Sequence, residues 1–451
     1  MLEKEKVKPT KCLIIAAGRG TRISNKGDSK PLVPLLGLSL IERVILTAKE
    51  SGLTDFYVVS GYKGEKVRQY LDSFSQERNI KINHVINDEW DKGNGLSVLK
   101  AKDLLNENFV LLMSDHIFDK SILRKIRDKG IVDSEVVLAV DRNIETDDAI
   151  DVDDVTKVLV RDGKVLNIGK NIKKYNAYDT GIFLCTPAIF NALEESIHNG
   201  DDSLSGGINV LAKTGKVKTF DIEGDYWVDV DDEHAFEKAE NKLLNTLKKT
   251  SDGPVSRYLN RAVSTRITKY LVKTNVTPNI ISFISFLLCC MGTFFFFLGG
   301  YANLVIGATL AQISSITDGC DGEIARLKFK STEFGRWFDA VLDRYADAFL
   351  LFGLTYYAYS ISNDFIIPFI IGFLAIIGSF MNSYTADKYD GLMERELGPK
   401  GHYFRIGRDV RIFIIFIGAL INQPLSILVL IALLMNIENI RRVVILHKNR
   451  E

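Results

Sequence analysis

The sequence predicts two unlike parts in one chain. Residues 1–250 read as a cytosolic α/β domain, doubly wound around a Rossmann-like mixed sheet, and residues 276–451 as an all-α membrane domain of six transmembrane helices. A linker and a basic interfacial amphipathic helix fill 251–275. Three observations carry this prediction. Short apolar runs alternate with helical patterns through the first half. A stretch of 44 uncharged residues separates Lys273 from Asp318, which is two spans at roughly 20 residues each. The formal net charge of zero divides into −5 over residues 1–254 and +5 over 255–451. That division excludes a wholly soluble or wholly disordered chain. Without a basic excess, no nucleic-acid partner is expected.

The elements follow in order. Residues 11–60 read as a strand and glycine-rich loop (KCLIIAAGRGTR), a helix (LIERVILTAKESG) and a second strand (DFYVVSG). Further strands are expected at Ile82–Ile86, Phe109–Met113, Glu135–Val140, Lys157–Arg161 and Gly181–Cys185. A polar helix, HAFEKAENKLLNTLKK, runs to the boundary at Ser251–Pro254. Beyond it Arg257, Arg261, Arg266, Lys269 and Lys273 are interleaved with Tyr258, Leu259, Ile267, Tyr270 and Leu271 and with no acid. Such a helix suits the surface of an anionic leaflet. The first long apolar stretch breaks near Gly299-Gly300-Tyr301, and Ala348–Asn363, Phe365–Ala386 and Ile412–Ile437 (divided at Pro424) are again uncharged. Allowing spans to extend past the flanking charges gives six. Basic residues gather at Arg326–Lys330, Lys388–Arg411 and Arg441–Arg450. The positive-inside rule then puts both termini of a multi-pass cell-membrane protein in the cytosol. The apolar run Cys12–Ala17 is too short for a signal peptide, so the first half is expected to stay cytosolic. Five cysteines without a CxxC predict neither a disulfide framework nor a zinc site. Only four glutamines occur, consistent with a heat-loving source.

The first chemical site is read from Leu13-Ile14-Ile15 opening into Ala16, Ala17, Gly18, Arg19, Gly20, Thr21 and Arg22, with Lys30-Pro31 shortly after. Backbone N–H groups in such a turn can line up on phosphates. It lacks the GxxxxGK[ST] of a P-loop and the GxGxxG of a dinucleotide fold. The run AAGRGTR…KP resembles the phosphate loop and lysine of the sugar nucleotidyltransferase family, over about residues 10–235. That resemblance implies a nucleotidyltransferase-type sheet, with Ala17–Thr21 and Arg22 on a triphosphate and Lys30 on its α-phosphate. It also implies Asp115 and Asp229 as magnesium ligands. Asn94-Gly95-Leu96-Ser97 resembles the segment closing over the nucleotide in cytidylyltransferases, with Asn94 in the nucleotide site. Lys170 and Asp179-Thr180-Gly181 resemble the alcohol-phosphate pocket. Helix capping by Asn94 and a strand-end turn at Asp179 are the plainer alternatives.

The second site is a set of carboxylates at the ends of spans, where charge is costly and functional by default. Asp318 and Asp321 are spaced i, i+3; Asp339 and Asp343 are spaced i, i+4. Each pair shares a helical face, so two facing helices can present four carboxylates to divalent ions. Asp318-x2-Asp321-Gly322-x2-Ala325-Arg326-x8-Gly335-x3-Asp339-x3-Asp343 resembles the CDP-alcohol phosphotransferase signature at every fixed position. The resemblance implies that Asp318, Asp321, Asp339 and Asp343 surround metal, with Asp343 also the general base. It places Gly322, Ala325, Arg326 and Gly335 at the cytidine, helped by Thr277-Pro278-Asn279. Arg405 and Arg408, among the six basic residues of 388–411, are the first candidates for an anionic acceptor.

The two halves together suggest consecutive steps, and their pairing resembles bifunctional enzymes of osmolyte synthesis in hyperthermophiles. That resemblance implies that CTP and inositol 1-phosphate give CDP-inositol and pyrophosphate. CDP-inositol and a second inositol 1-phosphate would then give di-myo-inositol phosphate phosphate and CMP. Mg²⁺, with Mn²⁺ possible, is expected in both domains. The expected partners are CTP, a CDP-alcohol, a polyol phosphate, the lipid bilayer and, from the resemblance, a second copy joined through the membrane domain. The alternatives are an enzyme making a phospholipid from a CDP-activated alcohol or lipid, and a non-catalytic nucleotide-binding membrane anchor or transporter.

Overall fold

The computed structural model describes residues 8–144, 155–248, 252–364, 366–397 and 406–448, with the backbone alone over 387–397. It falls into two compact units, Met1–Leu243 and Leu244–Glu451.

The first unit is built on a nine-stranded mixed sheet. In chain order its early strands are β1 (Lys11–Ala16), a small ribbon of β2 (Pro34–Leu35) and β3 (Leu38–Ser39), then β4 (Asp55–Ser60), β5 (Lys81–Ile86), β6 (Phe109–Met113) and β7 (His116–Phe118). After them come β8 (Val136–Asp141), β9 (Lys157–Arg161), β10 (Lys164–Gly169), β11 (Ala177–Cys185), β12 (Val217–Asp221) and β13 (Trp227–Asp229). The sheet order is β5-β4-β1-β6-β11-β8-β12-β10-β9. Strands β5, β4, β1 and β6 run parallel; β11 is antiparallel to β6 and β8. β1 is buried at every residue from Cys12 to Ala16, as a parallel strand covered on both faces must be. The helices are α1 (Leu40–Glu50), α2 (Gly64–Arg78), α3 (Asn94–Leu99), α4 (Lys120–Lys129), α5 (Ala188–His198), α6 (Leu204–Lys213) and α7 (Glu233–Asn245). α1 starts at Ser39 with a full capping box: Ser39 Oγ accepts from the Glu42 amide, and Glu42 accepts from the Ser39 amide. The expected strands appear within a residue or two, the last as the end of β11. β10, β12 and the β7–β13 ribbon were not anticipated.

The second unit is helical: α8 (Arg261–Leu271), α9 (Pro278–Leu298), α10 (Tyr301–Leu327), α11 (Glu333–Ile361), α12 (Ile366–Leu397), α13 (Arg408–Leu420) and α14 (Pro424–Lys448). Pro278 opens α9 after Thr277, where its missing N–H costs nothing. Among the described residues, two helical stretches are long and apolar enough to cross a membrane, Pro278–Leu298 and Ile366–Ala386. The expected six spans therefore go beyond what length and apolarity establish.

Arg261 departs from the expectation of an interfacial cation. It is buried, with Nε 2.9 Å from Asp252 Oδ2 and Nη1 2.6 Å from Glu323 Oε1. Glu323, fully buried on α10, also accepts from Ser264 Oγ at 2.7 Å and Thr268 Oγ1 at 2.6 Å. A buried carboxylate so satisfied pins α8 to α10, while Tyr258 and Tyr270 remain exposed. Arg261→Ala would leave Glu323 an uncompensated buried charge, at a cost of about 3–5 kcal/mol. Thermal unfolding in detergent should show a clear loss of stability for this variant and little change for Arg257→Ala, which alters an exposed residue.

Candidate active sites

In the first unit, β1 ends in the turn that sequence analysis singled out. Gly20 sits in the left-handed region at φ 60°, and a Cβ there would come within 2.4 Å of Lys30 Cβ. The turn therefore needs glycine, and its close approach is to Lys30. Gly18 faces open space. The Ala17 carbonyl accepts from the Tyr62 amide at 2.9 Å, and the Arg19 guanidinium lies 5.5 Å from the Tyr62 ring centre. Thr21 and Arg22 begin a short 3-10 turn.

Lys30 is buried and surrounded by carboxylates. Its Nζ lies 2.5 Å from Asp115 Oδ2 and 4.0 Å from Asp229 Oδ1, and it donates to Asp231 Oδ1. Arg22 Nη2 is 3.5 Å from Asp231 Oδ2. One ribbon brings these acids together: β7 and β13 pair antiparallel with His116 opposite Asp229, and the Val230 amide donates to the Asp115 carbonyl at 3.1 Å. Burial opposes the Lys30 ammonium, but Asp115, Asp229 and Asp231 outweigh it and raise its pKa well above that of an ordinary lysine.

His116 was not anticipated, although it follows Asp115 directly. Its Nδ1–H donates to the Thr180 carbonyl at 2.7 Å, and Nε2 is 3.4 Å from Asp229 Oδ2. Burial disfavours its charge; Asp229 and Asp115 overcome that and push it up to about 10. Burial likewise opposes the Asp229 anion, but His116 and Lys30 hold it well below the usual carboxylate range. One ligand atom each from Asp115, His116 and Asp229 lie within 4.8 Å of one another. The two carboxylates suit a hard divalent ion, and Asp229 Oδ1 is buried without a hydrogen-bond partner.

The looser candidates lie as follows. Thr180 is fully buried and donates its hydroxyl to the Ala139 carbonyl at 2.8 Å, so its carbonyl, not its hydroxyl, meets the site. Asp179 Oδ1 accepts from the Gly181 amide at 2.8 Å where β11 slips register against β8. Burial pushes its carboxyl up to about 6, against the pull of that amide and His116. Asn94 Oδ1 accepts from the Leu204 amide at the start of α6 at 2.8 Å; α6 itself is capped by Ser203 and α3 by Gly93. Lys170 lies exposed after β10, its carbonyl accepting from Lys157 Nζ at 2.9 Å.

In the second unit, α10 presents Asp318, Asp321, Gly322, Ala325 and Arg326, and α11 presents Gly335, Asp339 and Asp343. Carboxylate oxygens of Asp318, Asp339 and Asp343 lie within 4.8 Å of one another. α9 buttresses them: Ser285 Oγ donates to Asp318 Oδ1 at 3.3 Å and Ser282 Oγ donates to Asp321 Oδ2. Asp339 Oδ1 is buried without a hydrogen-bond partner, so it could serve as a ligand to a cation. Gly335 approaches Asn279, whose Oδ1 would be 3.4 Å from a Cβ there. Arg326 donates from Nη2 to the Leu247 carbonyl at 3.2 Å. Arg408, at the start of α13, places Nη1 3.2 Å from Asp318 Oδ2 and 2.9 Å from Asp343 Oδ1. Arg405 lies outside the described residues.

Two family models match the chain. Residues 275–438 match the CDP-alcohol phosphatidyltransferase family, and residues 12–167 match the MobA-like NTP transferase domain. Among curated relatives, a bifunctional IPC transferase and DIPP synthase of Aquifex aeolicus is 33% identical over 446 residues, covering 97% of this chain and 98% of the relative. Its namesake from Thermococcus kodakarensis is 34% identical over 440 residues, 96% of this chain and 95% of the relative. The archaetidylinositol phosphate synthase of Pyrococcus horikoshii is 33% identical over 181 residues, 40% of this chain and 87% of that protein.

Proposed function

The chain belongs to the family of bifunctional IPC transferases and DIPP synthases, and from that premise we propose that it joins two consecutive reactions. CTP and inositol 1-phosphate give CDP-inositol and pyrophosphate; CDP-inositol and a second inositol 1-phosphate then give di-myo-inositol phosphate phosphate and CMP. The supporting observation is that each unit gathers carboxylates around a buried oxygen without a hydrogen-bond partner, Asp229 Oδ1 in one and Asp339 Oδ1 in the other. When bound, a divalent ion, Mg²⁺ or alternatively Mn²⁺, neutralises phosphate charge, held by Asp115 and Asp229 in the first site and by Asp318, Asp321, Asp339 and Asp343 in the second.

In the first reaction the Ala17–Thr21 backbone cradles the triphosphate, with Asn94 beside the nucleotide. Lys30 and Arg22 offset charge on the reacting phosphate and on leaving pyrophosphate. Lys170 and the Asp179–Thr180 turn face the alcohol phosphate. His116 fixes Asp229 against that turn, 2.7 Å from the Thr180 carbonyl. Gly181 is the weak point, since it sits at φ 72° and a Cβ would lie 2.3 Å from His116 Nδ1. Gly181→Ala is expected to lower CTP-dependent pyrophosphate release at least tenfold and to leave CMP release from supplied CDP-inositol unchanged.

In the second reaction Gly322, Ala325, Arg326 and Gly335 line the cytidine, and Asp343 takes the proton of the acceptor hydroxyl as its oxygen attacks phosphorus and CMP leaves. Arg408 and Arg405 receive the acceptor's phosphate. The division at 1–250, 251–275 and 276–451, six spans with both termini and both sites cytosolic, and a homodimer through the membrane unit complete the proposal. The six helices α9–α14 would supply the spans. Likeness to an archaetidylinositol phosphate synthase favours one second reading, with a lipid in place of the soluble acceptor or donor alcohol. Purified protein given CTP, Mg²⁺ and inositol 1-phosphate should release both pyrophosphate and CMP. Pyrophosphate alone would remove the second activity from this assignment.

A further inference from the structure

Next to the aspartate run is a buried ion-pair chain, two members of which, Asp347 and Arg411, have no part in the steps above. Asp347 sits one turn beyond Asp343 on α11 and is 6% exposed. Its Oδ1 accepts from Arg408 Nε at 3.1 Å, and its Oδ2 accepts from Arg411 Nη2. Arg411 is itself 3% exposed, with Nη2 3.4 Å from Ser383 Oγ and Nη1 3.7 Å from Met435 Sδ. Arg408 therefore has two separate edges: Nε faces Asp347, while Nη1 faces Asp318 and Asp343 at 3.2 and 2.9 Å.

A guanidinium is a rigid planar fork, so holding Nε fixes where Nη1 points. We propose that Asp347, anchored by Arg411, is a positioning residue for the second reaction. It grips one edge of Arg408 so that the other edge can pass from Asp318 and Asp343 to the phosphate of the incoming acceptor. A divalent ion held by Asp318 and Asp343 would take the carboxylates that partner Nη1 and would repel the guanidinium. Asp347 is the carboxylate left to keep Arg408 in reach, the part outer-layer partners play around metal sites, with losses of about 10–100-fold when they are removed.

This inference rests on Arg408 as the acceptor-binding residue, so the test carries Arg408→Ala as a separate arm. Asp347→Asn removes the charge. The double variant Asp347→Asn with Arg411→Met removes both buried ions and guards against misfolding around an unpaired Arg411. Steady-state kinetics with CDP-inositol and inositol 1-phosphate would be paired with Mn²⁺ binding by electron paramagnetic resonance. The expected result for either variant is an acceptor KM raised at least tenfold, with Mn²⁺ affinity and the KM for CDP-inositol within twofold of wild type. An acceptor KM within twofold of wild type, or an equal loss of Mn²⁺ affinity, overturns the positioning role. If Arg408→Ala leaves the acceptor KM unchanged, the reading of Arg408 falls and the inference with it. If Arg408→Ala raises it and the Asp347 variants do not, the inference alone falls.

Discussion

Asp343→Asn is expected to reduce CMP release from CDP-inositol by about 10²–10⁴-fold, the span that general-base catalysis contributes, and to leave pyrophosphate release from CTP at the wild-type rate. Asparagine keeps the shape of the side chain and cannot accept a proton at neutral pH. The fold should tolerate the change. Arg408 keeps Asp318 at 3.2 Å and Asp347 at 3.1 Å as partners, so no buried cation is stranded. Because Asp343 also borders the cluster formed with Asp318 and Asp339, Mn²⁺ binding should be measured beside the rate. Lost CMP release with near-normal metal binding identifies the base. Wild-type CMP release would remove that role from Asp343.

Lys30→Ala should have the converse effect: pyrophosphate release falls by about 10²–10³-fold, as when one preorganised charge-stabilising donor is lost, and CMP release from supplied CDP-inositol persists. Lys30 contacts Asp115 and Asp231 directly and lies 4.0 Å from Asp229. Its removal costs a phosphate partner and leaves three acids facing one another, so local stability should fall too. Lys30→Arg separates the two effects, since it keeps the charge but not the compact ammonium. Restored stability with little restored activity would mark Lys30 as a phosphate-binding group, whereas full activity in Lys30→Ala would show that the front site is misassigned.

The part of the second site inside one helical hairpin was legible from spacing. From Asp318 to Asp343 the acids fall on two adjacent helices, and helix periodicity alone orients them. Likewise β1 and its loop announce themselves as an apolar run ending in glycines. What escaped notice depends on pairings between distant segments. The β7–β13 ribbon joins His116 to Asp229 across nearly half of the first unit's length. Asp231 had a signal, its i, i+2 spacing from Asp229, which on an extended chain places both on one side. Asp347 lay one further turn along the same face of α11, outside the fixed signature positions, and its arginines come from α13. Arg261 read as an interfacial cation because Glu323 lies far along the chain on α10, and Asp252, though near in sequence, fell in the segment read as the domain boundary. Asn94 matched a nucleotide-closing segment, yet its hydrogen bond from the Leu204 amide joins it to a helix far along the chain.

The most direct test of the two-step assignment is mass spectrometry of the products that purified protein forms from CTP, Mg²⁺ and inositol 1-phosphate, with lipid acceptors and CDP-activated lipids offered in competition. The expected product is di-myo-inositol phosphate phosphate, formed one-for-one with CMP and unaffected by the lipids. An inositol phospholipid as the main product, or CDP-inositol accumulating with no CMP, would contradict it.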